Sequence, residues 1–143
     1  MDNTLHAPEL HAFSNITGGT FVFNMQPVSP RVFQQGRRRG GNPLGIHDVQ
    51  QMWGAFSTGW WHADDDVQAH ALAKALVDRI ESVTRRTGQH LEYLFMNDAD
   101  WDQEVLQSYG NKSLGRLRQI NHRYDPTQVF QRLVPGGFKL GGL

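Results

Sequence analysis

The sequence predicts an α+β fold, a small antiparallel sheet covered on one face by a long amphipathic helix and followed by C-terminal helices. Three observations predict it. Runs rich in β-formers stand at 20–27, 52–61 and 90–97. Between the second and third, residues 65–87 place Leu72, Leu76, Ile80 and Val83 on one helical stripe with Ala69 and Ala73 beside it. Beyond Asp98 the pattern is helical to Tyr124 and then becomes a Gly- and Pro-rich tail.

In the first strand, alternation puts Phe21, Phe23 and Met25 on a core face and Thr20, Val22, Asn24 and Gln26 on a mixed face that also suits a cavity. Residues 31–35 read as a helical turn. The stretch 35–45, QGRRRGGNPLG, reads as a solvated basic loop. No G-x-x-x-x-G-K-[ST] and no strand–GxGxxG–helix unit accompanies it, so a nucleotide cradle is not supported. The second strand carries Trp53, Phe56, Trp60 and Trp61, which pack a core or wall a pocket for a flat organic ligand.

His62 and Asp64, Asp65 and Asp66 open the long helix. Consecutive positions point apart, so capping by Asp64 explains the acids better than a metal site. Basic residues in the last turn and Gly88 end the helix as the stop rules expect. In the third run Leu91, Tyr93, Phe95 and Asn97 share a face. Short helices are expected at 102–108 and 112–124, the latter turning Leu114, Leu117, Ile120 and Tyr124 inward, with one more turn at 127–131.

The 143 residues suit one domain at 16–143 behind a polar arm at 1–15. Fourteen Lys and Arg balance fourteen Asp and Glu, so charge offers no reason to expect nucleic acid or an anionic membrane as partner. The absence of cysteine excludes disulfides, thiolate metal sites, a Cys nucleophile and a sulfur-tethered cofactor. No apolar run is long enough to span a bilayer. The first residues lack the layout of a secretory signal, so a cytoplasmic location is expected.

Several segments then carry a family resemblance: YLFMNDADWDQ at 93–103, SYG at 108–110, LGRLRQINHRYDP at 114–126 and VFQRLVPGGFKL at 129–140, with FVFNMQPVSP at 21–30 and RGGNPLG at 39–45 upstream. Over roughly 20–140 the chain resembles the C-terminal, substrate-domain part of berberine-bridge-enzyme-like FAD-linked oxidoreductases of fungal secondary metabolism. The resemblance implies an old substrate cavity on the sheet. It does not extend to the FAD-binding domain, so no cofactor is expected in this chain, and with the acids at 64–66 assigned to capping no metal is expected either. Met1 and the short polar lead make a complete short product the expectation over a fragment. The family's Tyr-x-Asn-Tyr falls on Phe95, Met96, Asn97 and Asp98, with Asn97 kept and both tyrosines replaced.

The expected function is a stand-alone, cofactor-free enzyme that cyclises, isomerises or dehydrates a polyketide- or terpenoid-like metabolite. Asp98, with Asn97 and His62, is expected to move the proton. Asn24, Gln26, Trp53, Phe56, Trp60, Trp61 and Tyr93 are expected to bind substrate. A homodimer is expected to cover the face that the missing domain would cover. The alternatives are a non-catalytic fragment or subunit of such a flavoprotein, and a degenerate metabolite binder.

Overall fold

Two strands without a single charged residue, β1 (Thr20–Val28) and β2 (Gln51–Gly59), form a two-stranded antiparallel sheet in the computed structural model, which describes residues 7–41 and 43–140. Thr20 Oγ1 donates to Gly59 O at 3.4 Å, and Phe21 stacks on Phe56 at 5.2 Å, which sets the register. The helices are α1 (Pro8–Phe13), α2 (Pro30–Arg38), α3 (Asp66–Arg86), α4 (Val105–Ser108), α5 (Gly110–Tyr124) and α6 (Val129–Arg132). The described residues divide into two compact units, 7–25 with 54–91 and 26–53 with 92–140. Asn42 of the RGGNPLG segment and residues 1–6 of the expected arm lie outside the described residues.

In the first unit, α1 packs on α3. Phe13, Ile16 and Ala69 are buried together, with Trp60 and Leu72 against them. The expected polar arm is thus helical from Pro8, because Phe13 gives it an apolar anchor and Arg79 of α3 bonds Glu9 Oε1 at 3.0 Å. α3 follows the expected stripe only in part. Ala69 and Leu76 are buried, while Ile80 and Val83 are exposed. Its N-terminus differs from expectation, because a 3-10 turn (Ala63–Asp65) precedes it and no aspartate side chain caps it. Asp66 instead accepts a hydrogen bond from Trp60 Nε1 at 2.6 Å. The end is as expected, with Gly88 in the left-handed region at φ 68°. On the sheet, Phe21 is half-buried beside Leu72, Ala73 and Leu76, whereas Phe23 and Met25 are exposed.

The second unit is built on Val105, Leu106 and Tyr109, with Tyr93, Leu94, Leu114, Leu117 and Phe138 around them. Here the sequence expectation of a strand at 90–97 is corrected. Residues 90–95 join neither strand of the sheet and lead into a 3-10 turn at Met96–Asp98. Its Leu94 amide donates to Ser108 Oγ at 3.0 Å, so helix α4 takes the bond a neighbouring strand would have taken. α2 is longer than the expected turn. Ser29 caps it, accepting from the Arg31 amide at 3.3 Å, and Arg37 at its far end pairs with Asp48. Gly45 sits at φ 69° against the Tyr109 carbonyl, where any Cβ would collide.

The turn into α6 is held by a buried carboxylate. Asp125 accepts from the Val129 amide at 2.7 Å through Oδ1 and from the Phe130 amide at 3.0 Å through Oδ2. Gln128, at φ 61°, donates to the Asp125 carbonyl at 2.8 Å and accepts from Asn121 Nδ2 at 2.9 Å. These bonds satisfy amides that a four-residue helix would otherwise leave open.

Two stability outcomes follow from this distribution of burial. Leu106→Ala should cost about 2–5 kcal/mol and Leu133→Ala, at 75% exposure, less than about 0.5, read from urea midpoints. The second concerns pH. Glu9 is held below the usual carboxylate range, by its own main-chain amide first and by Arg79 second. A carboxyl with a depressed folded value stabilises above its unfolded pKa and loses that contribution as pH falls through the folded one. Acid titration should therefore weaken the tie between α1 and α3, and Glu9→Gln should remove that part of the acid dependence in thermal melts.

Candidate functional site

The second unit gathers aromatic side chains around one indole. Trp53 lies 5.4 Å from Tyr93, 5.1 Å from Phe95 and 6.5 Å from Phe33, ring centre to ring centre. Tyr93 in turn stacks on Tyr109 at 5.6 Å. Buried Gln51 fixes the indole by accepting from Trp53 Nε1 at 2.9 Å while its own amide donates to the His47 carbonyl. This platform joins two expected binding residues, Trp53 and Tyr93. It also includes Phe33, Phe95, Tyr109 and Gln51, which the sequence reading did not single out as site residues. The heavy aromatic content of the SYG and YLF segments was the available signal.

The Tyr93 hydroxyl is buried without a hydrogen-bond partner, and its pKa is pushed up to about 12 by burial first and by Tyr109 second. Burial also raises Tyr109. A phenol in this setting remains protonated and is a donor in want of an acceptor. Asn97 and Asp98 follow four and five residues later, exposed on the 3-10 turn. Gln26 is exposed on β1.

The remaining expected site residues belong to the first unit. Phe56 is occupied with Phe21, and Trp60 with Asp66, with Phe13 at 6.3 Å and with His70 at 5.3 Å. Trp60 is therefore structural as well as aromatic. Trp61 is 78% exposed, with its ring over Gly18, and Asn24 and His62 are exposed. The groove between α1, β1, β2 and α3, lined by Phe13, Phe21, Thr58 and Leu76, is filled. An open depression of about 360 Å³ beside Glu9, Arg79 and Arg86 is polar. Among the described residues no group of three or more His, Asp or Glu is placed to hold a metal ion, and no helix is long and apolar enough to cross a membrane.

Comparison with known proteins finds relatives in fungi. The chain is 41% identical over 125 residues to the bifunctional solanapyrone synthase of Alternaria solani, covering 87% of this chain and 24% of that protein. It is 34% identical over 113 residues to an FAD-dependent monooxygenase of Arthrobotrys oligospora, covering 79% of this chain and 22% of that one. It is also 34% identical over 133 residues to the oligopeptidase PhomG' of Diaporthe leptostromiformis, covering 90% of this chain and 11% of that one. The chain is thus homologous to a fraction of larger fungal proteins that include FAD-dependent monooxygenases, and it spans about a quarter of the length of those monooxygenases. No family model and no solved structure matches it.

An FAD brings a diphosphate, and the N-termini of α2 and α3 do not suit one. The N-terminus of α3 is crowded by Asp64, Asp65 and Asp66, and that of α2 is closed by Ser29 and Pro30. Arg37 of the basic run is engaged by Asp48.

The unpaired phenol generates a test with a definite sign. Removing a buried donor that lacks a partner stabilises a fold, whereas removing a bonded one destabilises it by about 1–3 kcal/mol. Tyr93→Phe should raise the melting temperature of the chain. A drop would mean that the hydroxyl already has an acceptor.

Proposed function

We propose that this chain, homologous over about a quarter of their length to fungal FAD-dependent monooxygenases, is the substrate-side segment of an FAD-linked oxidoreductase of the berberine-bridge-like type. It acts on a small metabolite of fungal secondary metabolism once the flavin-binding part, supplied from outside these residues, stands beside it. The observation that carries this reading is that a well-defined aromatic platform and a poorly covered sheet occur in the same chain. Trp53, Tyr93, Phe95 and Tyr109 are fixed against one another, while β1 and β2 leave Val22, Phe23, Met25 and Met52 in water. A two-stranded sheet in that state is marginal by itself.

In this reading the platform orients a flat, apolar substrate. Tyr93 contributes its ring to that platform. Asn97 and Asp98 handle a proton at the rim, where the cover brought by the flavin-binding part dries them. Gln26, exposed on β1 in the same unit, adds a further polar group in this reading.

A second reading keeps the chain as a stand-alone, cofactor-free cyclase or isomerase working as a homodimer. The likeness to a relative named a bifunctional synthase favours it, since such a protein performs more than one operation.

The two readings separate in one assay. The chain is incubated with a polyketide-type intermediate, alone and together with a flavoprotein relative from which the matching quarter has been deleted. The first reading expects turnover only in the mixture, and a loss of at least about tenfold with Asp98→Asn. Product formed by the chain alone overturns it in favour of the second.

A further inference from the structure

Two exposed features of the second unit carry opposite charge, and no ion pair joins them among the described residues. The first is a knob. Trp101 is 77% exposed at the tip of a turn in which its own amide donates to Asp100 Oδ1 at 2.8 Å. The Asp100 amide donates to Gln103 Oε1 at 2.9 Å, which locks the same turn from the other side. Asp98, Asp100, Asp102 and Glu104 flank Trp101 in sequence, and no Lys or Arg occurs from 89 to 111. The second is a set of exposed apolar side chains at the end of α5 and in and just after α6. Tyr124 is 72% exposed, Phe130 63% and Leu133 75%, with Val134 beside them. The segment 110–140 carries six Lys and Arg against Asp125, whose carboxylate is buried and spent on the α6 amides.

Both devices are pre-organised. The Asp100–Gln103 bonds hold the indole out, and the Asp125 clamp, with Lys139 Nζ donating to the Phe130 carbonyl at 3.0 Å, holds α6 out. Ordering a short turn and a four-residue helix by specific bonds, only to leave their largest apolar groups in water, is the arrangement of a binding surface. No ion pair joins the acidic turn to the basic face among the described residues.

We propose that the occupant is a second copy of this chain: the Trp101 turn of one copy docks on the α5–α6 face of the other, and the reciprocal contact closes a two-fold dimer. The argument for a second copy is that one unit carries both halves. Each copy offers an acidic aromatic knob and a basic apolar seat, so an isologous pairing makes the contact twice. The zero net charge of the whole chain leaves no long-range repulsion between copies. An exposed Trp meeting an apolar seat that holds Arg123 over the Tyr124 ring at 5.4 Å also has the Trp, Tyr and Arg composition that dominates interface energies. The inference stands apart from the flavoprotein reading and survives or fails separately from it.

Sedimentation equilibrium of the full chain at micromolar concentration tests it. The expected result is a species of twice 16.2 kDa that weakens as salt rises. Trp101→Ala should weaken dimerisation at least about 30-fold. The decisive pair is Asp102→Lys and Arg132→Glu, which leaves in place the Asp100 side chain that locks the turn. Each alone should be monomeric, and mixing the two should restore a dimer, because the heterodimer then matches opposite charges at both contacts. A wild-type chain that sediments only as monomer overturns the proposal, as does a dimer indifferent to all three substitutions. A chain that remains monomeric but takes up a truncated flavoprotein through Trp101 and Leu133 also overturns it, and assigns the surface to that partner instead.

Discussion

The stability of this chain rests on two small apolar clusters, one in each unit, and everything else is arranged around the scarcity of buried side chains. In one, Phe13, Ile16 and Ala69 join α1 to α3. In the other, Val105, Leu106 and Tyr109 seat the 93–99 segment against α4 and α5. Transfer free energy scales with the apolar area removed from water, so clusters of this size hold only the elements that touch them. Elements beyond their reach are held by directed bonds instead. Asp125 holds α6, Gln103 and Asp100 hold the Trp101 turn, and Arg79 holds Glu9. Directed bonds fix geometry but contribute about 1 kcal/mol each. Such a structure is locally specified and globally thin.

That distinction explains which parts were legible in the sequence. α3 and α5 were, because a helix declares itself through a period that survives whether or not the stripe is fully covered. β1 and β2 were legible as strands for the same reason. Their burial was not, because alternation names a face without saying that anything lies against it. Phe23 and Met25 read as core yet stand in water. The segment 90–97 carries β-type residues and alternates, but an extended stretch packed on a helix reads identically. Only the Leu94–Ser108 bond distinguishes the two, and its acceptor is a side chain fourteen residues away. Residues 8–13 were missed because six residues are too few for a period, and Phe13 alone announced the anchor.

The candidate site divides along similar lines. Aromatic content pointed to Trp53 and Tyr93, and the structure sets both in one platform. What spacing did not reveal is how each indole is occupied. Trp60 is bound to Asp66, Trp53 is fixed by buried Gln51, and Trp61 lies open over Gly18. The three side chains look equivalent in sequence and have different work in the fold. Local contacts are thus well fixed while apolar strand residues stand exposed, and the chain matches about a quarter of the length of several larger fungal proteins.

The most direct test of this account is amide hydrogen exchange on the chain by itself, resolved by residue. Protection should be strongest at 105–117 and over the N-terminal half of α3, where the two clusters sit. The Val129 and Phe130 amides should be protected through Asp125, whereas the ladder between β1 and β2 should exchange quickly. A ladder protected as strongly as α4 and α5 would mean that the sheet is stable without further cover, and would contradict the account.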